Sequence, residues 1–206
     1  MMFQNLTRYI TLFNYYFLDK FPPLPSVIRI EVTNGCDLKC IICDRKAMKR
    51  KIGLMDFDLF KKIADNAIKC KIPVIGLNRF GEPLLNQNIV DMIRYCKKNG
   101  APYVELTTNG TKLSKELSAK LIKSGLDSIA ISMDGFTKET YEAIRIGANF
   151  NDVKKNVRDL LELKISTSSK IKIQLNYVVC NANKQEVRQF RNYWKDKVDN
   201  IWFMNT

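Results

Sequence analysis

Val27-Ile-Arg-Ile-Glu-Val32 alternates apolar with polar side chains and runs directly into Thr33-Asn-Gly-Cys-Asp-Leu-Lys-Cys-Ile-Ile-Cys-Asp44. The first stretch has the two-residue period of a strand. The second gathers three of the chain's six cysteines, Cys36, Cys40 and Cys43, into eight residues. Downstream, Phe57, Phe60, Ile63, Ala64, Ala67 and Ile68 recur at the spacing of an amphipathic helix within Asp56 to Cys70. The alternation then repeats. Strand-like runs are expected at Val74 to Leu77, Tyr103 to Leu106, Ser128 to Ser132, Ile171 to Val179 and Asn200 to Met204, with helical patterns over Ile89 to Lys98, Ser114 to Ser124, Asp152 to Lys164 and Lys184 to Lys197. Asn99-Gly100 and Ser124-Gly125 put glycine just past two helices, where the chain turns with positive φ. Strands alternating with helices predict an α/β fold with a parallel sheet and right-handed crossovers. About six β-α units fit this length, whereas a closed eight-unit barrel needs ~250 residues. The expectation is therefore a partial (β/α)6 TIM-like barrel. A doubly wound sheet is the alternative that periodicity leaves open.

The chain has 206 residues, with 34 Lys and Arg against 21 Asp and Glu, a formal net charge of +13. Hydrophobic residues at 46% and charged residues at 27% can build a core and exclude a disordered chain. There is no histidine, which excludes Ser-His-Asp and Cys-His catalysis and histidine-rich zinc sites. Phe21-Pro-Pro-Leu-Pro25 divides the sequence. Residues 1–24 are expected to be an N-terminal amphipathic helical segment, helical over 3–20 and docked on its own domain, and residues 25–206 a core domain ending at the sixth strand. Arg8, Asp19 and Lys20 interrupt the N-terminal apolar residues before they reach the ~18 of a membrane span, so neither a transmembrane segment nor a signal peptide is expected. With cysteines unlike those of a secreted disulfide scaffold, a cytoplasmic location follows.

Thiolates three and four positions apart, on a loop at the carboxyl end of a strand, can converge on one metal centre, and soft sulfur selects iron-sulfur clusters or zinc. Without histidine, a structural zinc needs its fourth ligand from a remote cysteine or a carboxylate. Three cysteines suit a 4Fe-4S cluster with one iron open to a small molecule. Cys70 and Cys96, at the ends of apolar helical patterns, are expected to be small core residues, and Cys180 to face the mouth of the barrel.

The spacing Cys36-xxx-Cys40-xx-Cys43 resembles that of the radical SAM superfamily. Arg79-Phe-Gly-Glu-Pro-Leu-Leu85 is similar to the family's GGEP motif, and Thr107-Thr-Asn-Gly110, Ile131-Ser-Met-Asp-Gly135, Tyr141-Glu-Ala-Ile-Arg-Ile-Gly147 and Asn176-Tyr-Val-Val179 follow in the family's order. The resemblance covers roughly residues 27 to 206. It implies that Cys36, Cys40 and Cys43 hold three irons of a 4Fe-4S cluster and that S-adenosylmethionine chelates the fourth. Reductive cleavage then gives methionine and a 5'-deoxyadenosyl radical, which takes hydrogen from a substrate C–H bond. On the same resemblance, Gly81, Glu82 and Pro83 receive the methionine ammonium, and Ser132 and Arg145 lie near the ligand's carboxylate and ribose. Asn109, Asp134 and Asn176 are further cofactor-binding candidates. Ile42 stands where the family commonly has an aromatic against adenine, and Phe80 where it more often has glycine, which narrows the pocket. Asn109 and Asp134 also fit plain turn roles before Gly110 and Gly135.

The resemblance implies an enzyme acting on a peptide, protein or small metabolite, with an electron donor such as a flavodoxin or ferredoxin. SPASM-type relatives carry a C-terminal region with auxiliary clusters, and no cysteine follows Cys180. The expectation is a minimal core or a chain lacking that region, with a partner or missing segment over its last strand. An RNA-modifying enzyme is the alternative suggested by the charge, but lysines spread over every helix disfavour nucleic acid. The remaining alternative is a non-catalytic cluster- or zinc-binding module.

Overall fold

The computed structural model describes residues 24–205. The expected helix over 3–20 lies outside the described residues. Six strands form one sheet in the order β1 (Val27–Arg29), β2 (Val74–Gly76), β3 (Tyr103–Thr108), β4 (Ser128–Ser132), β5 (Lys172–Val179) and β6 (Asn200–Asn205). Every neighbouring pair is parallel. A doubly wound sheet would reverse its order at a switch point. Here the order never reverses, so the sheet curls in one direction into an open half-barrel, as the partial-barrel reading expects.

The crossovers carry α1 (Phe57–Lys69), α2 (Ile89–Lys98), α3 (Lys115–Lys123), α4 (Lys138–Ile144), α5 (Phe150–Ser166) and α6 (Val187–Trp194). Their apolar faces supply Phe60, Met92, Leu121, Val157 and Phe190, all fully buried. Each such side chain contributes about 1.5–3 kcal/mol on leaving water. They meet the outward residues of the strands, Ile75, Val104, Ile129, Ile173 and Leu175 among them. Inward residues are mostly polar, Glu105, Thr107, Ser128, Gln174 and Asn176 among them, because in a half-barrel that face lines an open cleft.

One device recurs at the amino-terminal edge of the sheet. Asp127, just before β4, accepts the Val104 amide of β3 at 2.7 Å and Lys97 of α2 at 2.7 Å. Asp199, just before β6, accepts the Ile173 amide of β5 at 2.8 Å and Lys164 of α5 at 2.5 Å. Each aspartate thus satisfies a strand-end donor and ties a crossover helix to the sheet. Gly100 and Gly125 have φ of +91° and +86°, as expected of residues past helix ends.

Three details differ from the sequence reading. The first strand is shorter than Val27 to Val32, because its ladder stops as the chain rises into the cysteine loop. The pattern over Lys184 to Lys197 divides into a 3-10 turn, Lys184–Glu186, and α6. Cys96 is in the core, but Cys70 is exposed at the carboxyl end of α1, a correction that follows from its position past the helix's last buried turn.

Candidate active site

The cysteine loop leaves the sheet after Val32 and returns at Met55, whose amide bonds the Val32 carbonyl at 2.9 Å. Thr33 and Leu54 pair across its base. The Asn34 side chain stitches the same base, donating to the Lys51 carbonyl and accepting from the Gly53 amide, both at 2.8 Å. The loop's middle docks elsewhere: Lys39 and Ile41 donate to the carbonyls of Ile146 and Ile144, each at 2.9 Å. Cys40 is therefore held between two backbone contacts to the end of α4.

All three cysteines line one cavity of about 560 Å³, with Ile41, Arg45 and Lys46 also on its wall. Leu38 N–H points at Cys36 Sγ at 3.4 Å and Arg45 N–H at Cys43 Sγ at 3.5 Å. Burial pushes the thiols of Cys36 and Cys40 up, so each needs a cation to become a thiolate. Among the described residues, no group of three Cys, Asp or Glu side chains is close enough to share a single metal ion. A cluster asks for something else, one sulfur at each of three irons around a cavity, and amide donors to sulfur are among the contacts that set its potential.

The adjoining segments converge on this loop. Gly81 packs so tightly that a Cβ would lie 2.2 Å from the Thr33 carbonyl oxygen and 2.7 Å from that of Gly35. Glu82 N–H donates to the Gly35 carbonyl at 2.7 Å. The Glu82 carboxylate is 2% exposed and accepts the Thr108 hydroxyl at 2.7 Å, the Asn109 amide at 2.7 Å and the Leu84 amide at 3.0 Å. Burial pushes this carboxyl up to about 7, against the opposing pull of those three bonds. Pro83 opens a 3-10 turn of which Glu82 is the cap. Phe80 is half-buried, with the Arg79 guanidinium 5.1 Å from its ring centre.

Asn109 fills both roles considered for it. Its Oδ1 accepts from Thr111 N–H at 2.9 Å, a turn contact, while its Nδ2 donates to Asp37 at 2.8 Å and lies 3.8 Å from Cys36 Sγ. Asp134 is fully buried and does more than turn the chain. Its Oδ1 accepts the Val178 amide at 2.6 Å, and its Oδ2 lies 2.5 Å from Arg145 Nη2. Arg145 Nη1 lies in turn 3.9 Å from Cys40 Sγ. Burial by itself would lower the Arg145 pKa, but the neighbouring Asp134 carboxylate outweighs it and raises the guanidinium above its ordinary value. The contact with Asp134 is short but poorly aligned, and both Arg145 Nε and the Tyr141 hydroxyl are buried without a hydrogen-bond partner among the described residues. Neither residue is on the wall of the cysteine cavity, and Arg145 approaches it only through Cys40. Three thiols around one cavity, with backbone N–H groups aimed at two of the sulfurs, fit a cluster. Ser132 and Asn176 face each other in register on β4 and β5. Of the adjacent isoleucines, Ile41 lines the cavity, and Ile42 is half-buried next to it in sequence.

Sequence reasoning missed the residues that hold this arrangement from behind. Asn183, fully buried, donates to the Asp134 and Val178 carbonyls at 3.0 and 2.8 Å. Glu186 accepts from the Phe136 amide at 2.6 Å, from the hydroxyls of Thr137 at 2.6 Å and Thr140 at 2.8 Å, and from the Thr137 amide at 3.3 Å, fixing the start of α4. The available signal was Thr137-x-x-Thr140 ahead of Tyr141 and Ile144, a helix start with an apolar face.

Comparison with known proteins agrees with this geometry. GTP 3',8-cyclase of Limosilactobacillus fermentum is 33% identical over 195 residues, covering 90% of this chain and 55% of that protein. A tungsten-containing aldehyde ferredoxin oxidoreductase cofactor-modifying protein of Pyrococcus furiosus is 31% identical over 169 residues, covering 80% of this chain and 46% of that protein. The chain thus spans about half the length of the curated relatives it matches. The crystal structure of Streptococcus suis SuiB bound to S-adenosylmethionine superposes with a TM-score of 0.77 at 17% identity, over 98% of this chain and 45% of that one, which shows a shared fold. The family profile described as the Radical SAM superfamily matches residues 30–193, from the end of the first strand into the last helix. With β2 to β5 and the cysteine loop inside that match, the chain belongs to the Radical SAM superfamily.

Proposed function

We propose that this chain is the S-adenosylmethionine-cleaving core of an enzyme that abstracts hydrogen from a small metabolite. The superfamily works with a 4Fe-4S cluster and S-adenosylmethionine. When bound, this pair supplies one-electron cleavage of the sulfonium and, from it, a 5'-deoxyadenosyl radical able to break a C–H bond. The observation that carries the reading is the cavity shared by Cys36, Cys40 and Cys43, with backbone N–H groups aimed at two of the sulfurs.

In this reading the three cysteines hold the cluster, and each remaining candidate acts through its place in the fold. Gly81, Glu82 and Pro83 press the loop after β2 onto the cysteine loop, which keeps Gly81's backbone beside it for the methionine ammonium. Asn109 braces Cys36. Asp134 fixes the side chain of Arg145, whose charge faces Cys40 and, past it, the ligand's carboxylate. Ser132 and Asn176 present polar groups to the ribose from neighbouring strands, and Ile42 packs near the adenine.

The relatives carry different printed activities, a GTP cyclase and a cofactor-modifying protein, and both names point to small molecules. A structural neighbour was solved with a precursor peptide, but at 17% identity it speaks for the fold. Small metabolites are therefore preferred over peptides. A flavodoxin or ferredoxin supplies the electron, and the reaction is placed in the cytoplasm; among the described residues, no helix is long and apolar enough to cross a membrane. Iron and sulfide analysis of anaerobically prepared protein tests the cluster. About four irons per chain are expected, whereas stoichiometric zinc would contradict the reading.

A further inference from the structure

Below the candidate cofactor residues, the inner face of the sheet holds a second cavity of about 200 Å³. This is smaller than the ~300–1,000 Å³ used by drug-sized ligands, and so suits one ring. Its wall includes Arg29, Glu105, Ser128, Gln174, Asn176 and Trp202. Arg29 reaches over β2 to Glu105 at 2.9 Å, and also donates to Asn78 at 2.9 Å. Gly76 permits this: a methyl there would sit 3.0 Å from Arg29 Nη1 and 3.2 Å from Glu105 Oε1.

The lining is chemically specific. Its one cation and one carboxylate pair with each other, so the cavity favours neither an anion nor a cation, although the chain as a whole is strongly basic. Gln174 is committed, donating to Asn176 Oδ1 and accepting from Asn200, both at 2.7 Å. Glu105 Oε2 and the hydroxyls of Thr107 and Ser128, all on this wall, make no hydrogen bond to the described residues. They leave an acceptor and two groups that can donate or accept, which is the complement of ring hydroxyls. Trp202, 53% exposed, adds a flat apolar surface on which the C–H face of a saturated ring can lie.

We propose that this cavity binds a neutral, hydroxyl-rich ring of the substrate, a sugar or cyclic polyol. The proposal rests on the radical reading above, since Ser132, Asn176 and Trp202 share one register row and the ring would lie next to the cofactor candidates.

The test is saturation-transfer NMR on the cluster-loaded chain with S-adenosylmethionine, using glucose, N-acetylglucosamine and myo-inositol as probes and glucose 6-phosphate as the charged comparison. At least one neutral ring is expected to bind saturably in the millimolar range, with Trp202→Ala and Glu105→Gln each weakening it by about tenfold. Circular dichroism and a control substitution at exposed Ile165 report folding. The proposal is overturned by no saturable binding of any neutral ring, by tighter binding of the phosphate ester than of glucose, or by unchanged binding in both variants. Cleavage of S-adenosylmethionine without ring binding removes this proposal alone. Ring binding without cleavage removes the radical reading alone.

Discussion

Asp134 holds Arg145 at 2.5 Å in the interior, and the same guanidinium lies 3.9 Å from the sulfur of Cys40. One end of this relay is fixed by β5, through the Val178 amide, and the other faces the candidate cluster. Removing either partner leaves the other charge buried and unpaired. Asp134→Leu is expected to cost ~3–5 kcal/mol in urea unfolding. Restoring a matched pair of apolar groups, Asp134→Leu with Arg145→Met, should recover much of that loss without recovering activity. Equal stability of Asp134→Leu and the parent would show that the pair is not buried as described.

Two glycines near the cysteine loop should respond oppositely to the same substitution. Gly81→Ala drives a methyl into the Thr33 carbonyl at 2.2 Å, whereas nothing lies within 4 Å of a Cβ at Gly53. Overpacking of this kind costs about 1–3 kcal/mol. Gly81→Ala is thus expected to lose iron on reconstitution along with thermal stability, and Gly53→Ala to keep both. A Gly81→Ala protein with full iron content would contradict the clamp between these loops.

Acid should loosen the rear of the site. Burial raises the Glu186 carboxyl, but hydrogen bonds from Thr137, Phe136 and Thr140 outweigh it and leave the group below its ordinary 4.5. A carboxylate with a depressed folded pKa gives stability that is complete above the unfolded value and drains away as pH falls through the folded one. Urea midpoints between about pH 5 and 3 should therefore fall more steeply in the parent than in Glu186→Gln. Parallel slopes would remove Glu186 as an anchor of α4.

The alternation of strands and helices was legible because inward and outward residues of each strand differ, as in Ile129 and Ile131 against Ser128 and Ser132. The three cysteines were legible too, since spacing alone brings them onto one loop. The contacts behind them were not. Asn34, Asn183 and Glu186 act on backbone groups far away in sequence, and nothing local marks a buried asparagine as a hub rather than a turn residue. Gly81 shows the same limit: its motif drew attention to a ligand, while its closest neighbours are the carbonyls of Thr33 and Gly35. α4 was hidden because a seven-residue helix shows too few turns for periodicity to register.

The central claim is that the cavity of Cys36, Cys40 and Cys43 supports reductive cleavage of S-adenosylmethionine. The direct measurement is 5'-deoxyadenosine formed by anaerobically reconstituted protein with dithionite, run beside Cys40→Ala and Cys70→Ala. The parent and Cys70→Ala are expected to bind iron and form the product, and Cys40→Ala to do neither. A cluster-loaded parent that forms no 5'-deoxyadenosine, or a Cys40→Ala protein that matches the parent, would contradict the account.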